Sequence, residues 1–204
     1  MTNWNKSKEL LNNSDILTLD IPKKIFDWLK DYSFEKRSNN TFHNSKMWLM
    51  TNNESWKIPK DVSKFFESNI INLKSVSRID YLTKNCPIIL DSLWVNFQKK
   101  HEFSPLHDHK GIASFIVFIN IPYDLEKEQE YFSKTNPTIK NYTSRLCFTN
   151  FNGDGNSNIN PVPVDKSFEG KMLMFSANQL HEVYPFYTSD DLRVTVSGNF
   201  KYKV

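Results

Sequence analysis

The rhythm of apolar and polar positions changes along the chain. In KKIFDWLKDY, which follows Pro22, Ile25, Phe26 and Leu29 recur at the spacing of one helical face, and Pro22 suits a first helical turn. A second helix is predicted after Pro59, where Val62, Phe65 and Phe66 recur among Lys, Asp and Glu. From Ile88 onward the pattern shortens into the runs IILDSLWVNF, IASFIVFINI, RLCFTNF, KMLMF and LRVTVSGNF, which predict strands. No helical pattern alternates with these runs, which disfavours a parallel βαβ sheet and favours an antiparallel barrel, sandwich or jelly roll. The expected architecture is mainly β with N-terminal helices (α+β). Residues 1–87 form a helical lead-in packed on a β core of residues 88–204. Asp124 to Ser144 and Asn152 to Asn160 are expected as long loops, the first a candidate for closing over a substrate.

Composition narrows the function classes. Sixteen Phe, 8 Tyr and 5 Trp in 204 residues supply a core that a disordered chain lacks. The net charge of +3 is spread along the sequence, so nothing specific points to a nucleic-acid partner. Cys86 and Cys147 fit no metal-binding or redox spacing and are expected as buried free thiols in a reducing cytoplasm. The first fifteen residues lack an apolar leader segment. The longest apolar stretch, Ile112 to Ile119, falls far short of the roughly 20 residues that cross a bilayer. A soluble, unprocessed protein without a membrane partner is expected.

Chemistry concentrates on three histidines and one arginine. His107 and His109 flank Asp108 in SPLHDHKG, and His181 lies in SANQLHEVYPF just after KMLMF. In extended backbone, residues i and i+2 share a face, so His107 and His109 can present two imidazoles to one point while Asp108 points away. A third ligand from another strand, with His181 the candidate, would complete a facial set and leave the opposite face of an octahedral metal open. The competing reading is a pair of surface histidines in a loop. Arg193 lies twelve residues after His181, inside the apolar run LRVTVSGNF. Burying such a cation is costly unless it meets an anion. Its planar fork suits a carboxylate, and Thr195 adds a hydroxyl on the same side. The competing reading, less favoured, is that Arg193 snorkels to solvent or pairs with a structural Asp.

The order and spacing of these stretches resemble the Fe(II)/2-oxoglutarate-dependent dioxygenases, in particular those of tailed phages and marine bacteria. The matching segments are LWVNF with Trp94 and Asn96, SPLHDHKGIASFIVFINIP, EGKMLMF, LHEVYPF and LRVTVSGNF, covering roughly residues 88–200. The resemblance implies a double-stranded β-helix, a jelly-roll, cupin-like barrel holding one iron. It implies His107 and His181 as ligands, with Arg193 and Thr195 binding the distal carboxylate of 2-oxoglutarate and Asn96 helping to position that cosubstrate. Fe(II), 2-oxoglutarate and O2 would hydroxylate an unidentified substrate, releasing succinate and CO2.

His109 stands where most of that superfamily has Asp or Glu, a departure shared with the phage-type group. Asp108 could replace it as middle ligand only through a strand bulge. A set of three neutral imidazoles leaves the metal one positive charge richer than a two-His, one-carboxylate set. A halogenase is disfavoured, because imidazole does not vacate a halide position. Phe118 replaces a tyrosine common in relatives. Two alternatives stand beside the dioxygenase: a cupin-type three-His metal dioxygenase without 2-oxoglutarate, and a non-catalytic jelly-roll binding or structural protein. If the source is viral, the host cytoplasm is the expected location. Neither substrate nor oligomeric state is legible in the sequence.

Overall fold

The run ASFIVFIN is apolar at nearly every position because both of its faces are covered. In the computed structural model, which describes residues 2–11, 15–38, 48–51, 58–77, 87–135 and 142–203, this run is the middle of a six-stranded sheet. The elements before residue 87 are α1 (Asn3–Leu11), β1 (Ile16–Asp20), α2 (Lys23–Ser38), β2 (Trp48–Thr51), α3 (Lys60–Asn69) and α4 (Lys74–Ser77). There follow β3 (Ile88–Gln98), β4 (Ser104–His107), β5 (Ala113–Asn120), α5 (Leu125–Thr135), β6 (Leu146–Phe151), β7 (Ser157–Val162), β8 (Lys171–Ser176), β9 (His181–Val183) and β10 (Arg193–Tyr202).

The large sheet has the order β1-β8-β5-β10-β3-β2 and the small one β4-β9-β6-β7, with every pairing antiparallel. Apart from the β6–β7 hairpin within the small sheet, the core strands β3 to β10 alternate between the two sheets in the manner of a double-stranded β-helix, the jelly-roll barrel. The period of two then sorts the side chains. Phe115, Val117, Met172, Met174, Val194 and Val196 pack outward with Leu29, Val62 and Phe66 of α2 and α3. Their neighbours Ile116, Phe118, Leu173 and Phe175 face inward, against Leu146 and Phe148 of the small sheet. The Phe148 and Phe175 rings meet edge to face across the barrel, with centroids 5.1 Å apart. Gly198 is required where β10 passes under Phe115: a Cβ there would lie 2.6 Å from both that ring and the Ser92 carbonyl oxygen.

Three features depart from the sequence pattern. The lead-in supplies strands as well as helices, since β1 and β2 form the two edges of the large sheet. The stretch expected as a loop after Asp124 begins with α5, whose first turn is capped by the Asp124 carboxylate accepting from the Glu126 and Lys127 N–H groups. The Asn152–Asn160 segment is a tight turn, closed by the Asn152 N–H donating to the Asn156 carbonyl, that runs directly into β7. Cys147 is a buried free thiol, whereas Cys86 lies outside the described residues.

Candidate active site

Strand pairing places two of the three histidines. His107 ends β4, His181 begins β9, and the two are Cα partners in the antiparallel pair. His109 lies two residues past the strand end, where its N–H donates to the Ala177 carbonyl at 2.9 Å. Ring centroids stand 4.3 Å apart for His107 and His181, 5.1 Å for His107 and His109, and 5.0 Å for His109 and His181. One nitrogen from each ring lies within 4.8 Å of the others, so the three form a group able to hold a metal ion. Asp108 is exposed and stands outside this group.

Local backbone selects the tautomers. His107 Nδ1 lies 2.6 Å from the Pro105 carbonyl oxygen and His181 Nδ1 lies 2.9 Å from that of Gln179. Each Nδ1–H therefore donates to a carbonyl, leaving Nε2 with a free lone pair. His109 Nε2 and His181 Nε2 approach to 3.3 Å. Burial, joined by the charge of the neighbouring imidazoles, pushes the His109 pKa down to about 4 and that of His181 to about 3. Both rings are thus neutral near pH 7, the state a metal requires. Trp94 lies against His109 and Phe175 edge-on against His181, with centroid distances of 5.5 and 5.0 Å.

A polar wall comes from the inward faces of β3 and β10. Asn96 and Thr195 are register partners, and Asn96 Nδ2 donates to Thr195 Oγ1 at 3.3 Å and Ser197 Oγ at 3.1 Å. Arg193 is 3% exposed. Its Nη1 donates to Gln98 Oε1 at 3.5 Å, and its guanidinium lies 5.7 Å from the centre of the Tyr123 ring. Among the described residues no carboxylate forms an ion pair with it.

The imidazoles and the guanidinium share one cavity of about 260 Å³, which Asn96 and Thr195 also line. All six residues singled out in the sequence are therefore brought together. The chemistry of the donor set fits a metal with a carboxylate-bearing ligand: imidazole nitrogen donors stand on one wall, and a buried cation in no ion pair among the described residues stands on another. Sequence reasoning missed Gln98 and Glu102, which line the same cavity. The signal for Gln98 was its place two residues after Asn96, on the inward face of β3. His101 lies outside the imidazole group, its ring against Tyr187.

Residues 92–199 match the model of the family described as "Putative 2OG-Fe(II) oxygenase", and all six residues fall within the match. The fold is similar to that of a Pseudomonas putida prolyl-4-hydroxylase, with a TM-score of 0.56 and 11% identity over 98% of this chain and 100% of that one. It is also similar to HygX from Streptomyces hygroscopicus, solved with nickel and 2-oxoglutarate bound, with a TM-score of 0.55 and 9% identity over 98% and 87% of the two chains. AviO1 from Streptomyces viridochromogenes gives a TM-score of 0.54 and 9% identity over 97% and 94%. No curated protein matches the sequence.

Proposed function

The chain belongs to the 2OG-Fe(II) oxygenases, enzymes that use Fe(II), 2-oxoglutarate and O2, and from that premise we propose how its residues divide the work. His107, His109 and His181 hold the iron through three neutral imidazoles. Arg193 and Thr195 bind the distal carboxylate of 2-oxoglutarate, and Asn96 supports Thr195 from the neighbouring strand. The observation that carries this assignment is the sharing of one cavity by a three-imidazole group and a buried guanidinium that forms no ion pair among the described residues.

Bound there, iron and 2-oxoglutarate supply O2 activation coupled to decarboxylation to succinate and CO2, and the product is a hydroxylated substrate. The chain's own part is to position and to exclude water. The Nδ1–H contacts to the Pro105 and Gln179 carbonyls hold the His107 and His181 rings at fixed angles. Trp94, Ile116, Phe118 and Leu146 line the cavity with apolar surface that limits water around the reacting centre. Arg193 contributes charge and a planar fork at a site already desolvated, where a charge-assisted hydrogen bond is strongest. No side-chain general base is needed among these roles.

The all-imidazole set also suits a cupin-type dioxygenase working without 2-oxoglutarate, but that reading supplies no anionic ligand for Arg193. Anaerobic titration of the Fe(II)-loaded protein with 2-oxoglutarate separates the two. A saturable visible charge-transfer band is expected; tight iron with no band would favour the cupin-type enzyme, and no iron would leave a scaffold. Among the described residues no helix is long and apolar enough to cross a membrane. A buried free thiol at Cys147 suits the reducing cytoplasm as the place of action.

A further inference from the structure

Among the described residues, the groups in contact with the Arg193 guanidinium are an amide and an aromatic ring. The register partner of Arg193 on β3 is Gln98, whose amide has one orientation compatible with its neighbours: Nε2 donates to the Glu102 carbonyl at 2.5 Å, and Oε1 accepts from Arg193 Nη1 at 3.5 Å. The reverse orientation would set amide N–H groups against guanidinium N–H groups. The turn that supplies the carbonyl is itself pinned. The Glu102 carboxylate accepts from the Lys99 N–H at 2.7 Å, His101 takes a left-handed φ of 70°, and the His101 N–H donates to Phe186 O at 2.9 Å. On another side of the guanidinium, the buried Tyr123 ring is fixed by its hydroxyl donating to Ser144 O at 2.9 Å.

A carboxylate at position 98 would neutralise Arg193 and would have no N–H to give the Glu102 carbonyl. A neutral amide orients it and leaves the charge for an incoming anion. We propose that Gln98 is a positioning residue that sets the selectivity of this cavity for keto acids bearing a second carboxylate, acting through Arg193 without itself binding the cosubstrate. The inference rests on the assignment of Arg193 to the distal carboxylate of 2-oxoglutarate.

The test compares 2-oxoglutarate with 2-oxopentanoate, the same carbon chain without the distal carboxylate, by anaerobic calorimetry on the Mn(II)-loaded protein. The wild-type chain should prefer 2-oxoglutarate by at least about 100-fold. Gln98→Glu, isosteric but charged, should bring that ratio to within about threefold of unity, chiefly by weakening 2-oxoglutarate, with Mn(II) affinity unchanged. Gln98→Met, which neither neutralises nor aims Arg193, should fall between the two. A merely structural role would weaken both keto acids together and leave the ratio intact. An unchanged ratio in Gln98→Glu, with the wild-type preference present, overturns the inference alone. Absence of the preference in the wild-type chain overturns both it and the assignment of Arg193.

Discussion

His107 and His181 face each other as Cα partners across the β4–β9 pair, with ring centroids 4.3 Å apart, closer than either ring comes to His109. Their separation is thus set by strand pairing rather than by the placement of a loop. His107→Ala and His181→Ala should each weaken Fe(II) or Mn(II) binding by more than about 100-fold. The fold should survive, at a cost of about 1–3 kcal/mol for the buried His181. Metal content after gel filtration, with far-ultraviolet circular dichroism alongside, checks both. Stoichiometric metal in either variant would remove that residue from the ligand set.

His109 lies beyond the strand end, anchored by one backbone hydrogen bond to Ala177 and packed against Trp94. An acidic side chain in that place would lower the positive charge of the metal site and lose the ring contact with Trp94. His109→Asp should retain one metal per chain and shift the energy of the keto-acid charge-transfer band. Complete loss of metal would show that the geometry accepts only the longer imidazole.

The strands that form the large sheet after residue 87 were legible because β3, β5, β8 and β10 are covered on both faces and read as nearly unbroken apolar runs. In the small sheet only β6 was. β4 and β9 are four and three residues long, too short for alternation to register, and β7 carries Pro161 on an edge. The histidines that the structure groups together stood out although their strands did not, because residue type and an i, i+2 spacing show in a sequence without any burial pattern. Helix α5 was hidden by Glu128. This carboxylate counts as polar in a pattern yet is fully buried, accepting from the Tyr187 and Thr188 N–H groups on a segment far along the chain. Gln98 was missed because its meaning depends on a guanidinium that β10 brings alongside.

Acid should weaken the metal-free protein through the site histidines. Burial holds the folded pKa of His109 at about 4 and of His181 at about 3, against about 6.5 in the unfolded chain. The unfolded chain binds more protons between those values, so unfolding free energy rises with pH across the window. It is complete above about 6.5 and is eroded as the pH falls toward 4. Urea midpoints of the metal-free protein should fall from pH 7 to pH 5, and His181→Phe should flatten that slope. An identical slope in the variant would assign the acid response to other groups.

Gly198 sits where a Cβ would meet the Ser92 carbonyl oxygen and the Phe115 ring at 2.6 Å. Backbone cannot yield there as a flexible side-chain tip would. Gly198→Ala should cost about 2–3 kcal/mol in urea unfolding by forcing β3 and β10 apart. Asn96 and Thr195 are paired across the same two strands, so keto-acid affinity should drop alongside stability. A variant as stable as the wild type would show that β10 shifts to make room.

Arg193 should affect stability and binding with opposite signs. It is 3% exposed, and its described neighbours are an amide and an aromatic ring rather than a carboxylate. A buried charge without a counter-charge costs several kcal/mol, which Gln98 and Tyr123 offset only in part. The ligand-free protein therefore carries a cost that an arriving carboxylate relieves. Arg193→Met keeps an unbranched, flexible apolar stem and removes the charge, so urea unfolding of the ligand-free variant should require about 1 kcal/mol more than the wild type. Its 2-oxoglutarate affinity should fall at least about 30-fold, the lower end of what truncating one partner of a buried charge pair costs. Metal affinity should stay as it was, because no ligand nitrogen is touched. Loss of stability together with binding would instead make Arg193 a structural residue, and only the opposed signs mark a cation kept unpaired for its ligand.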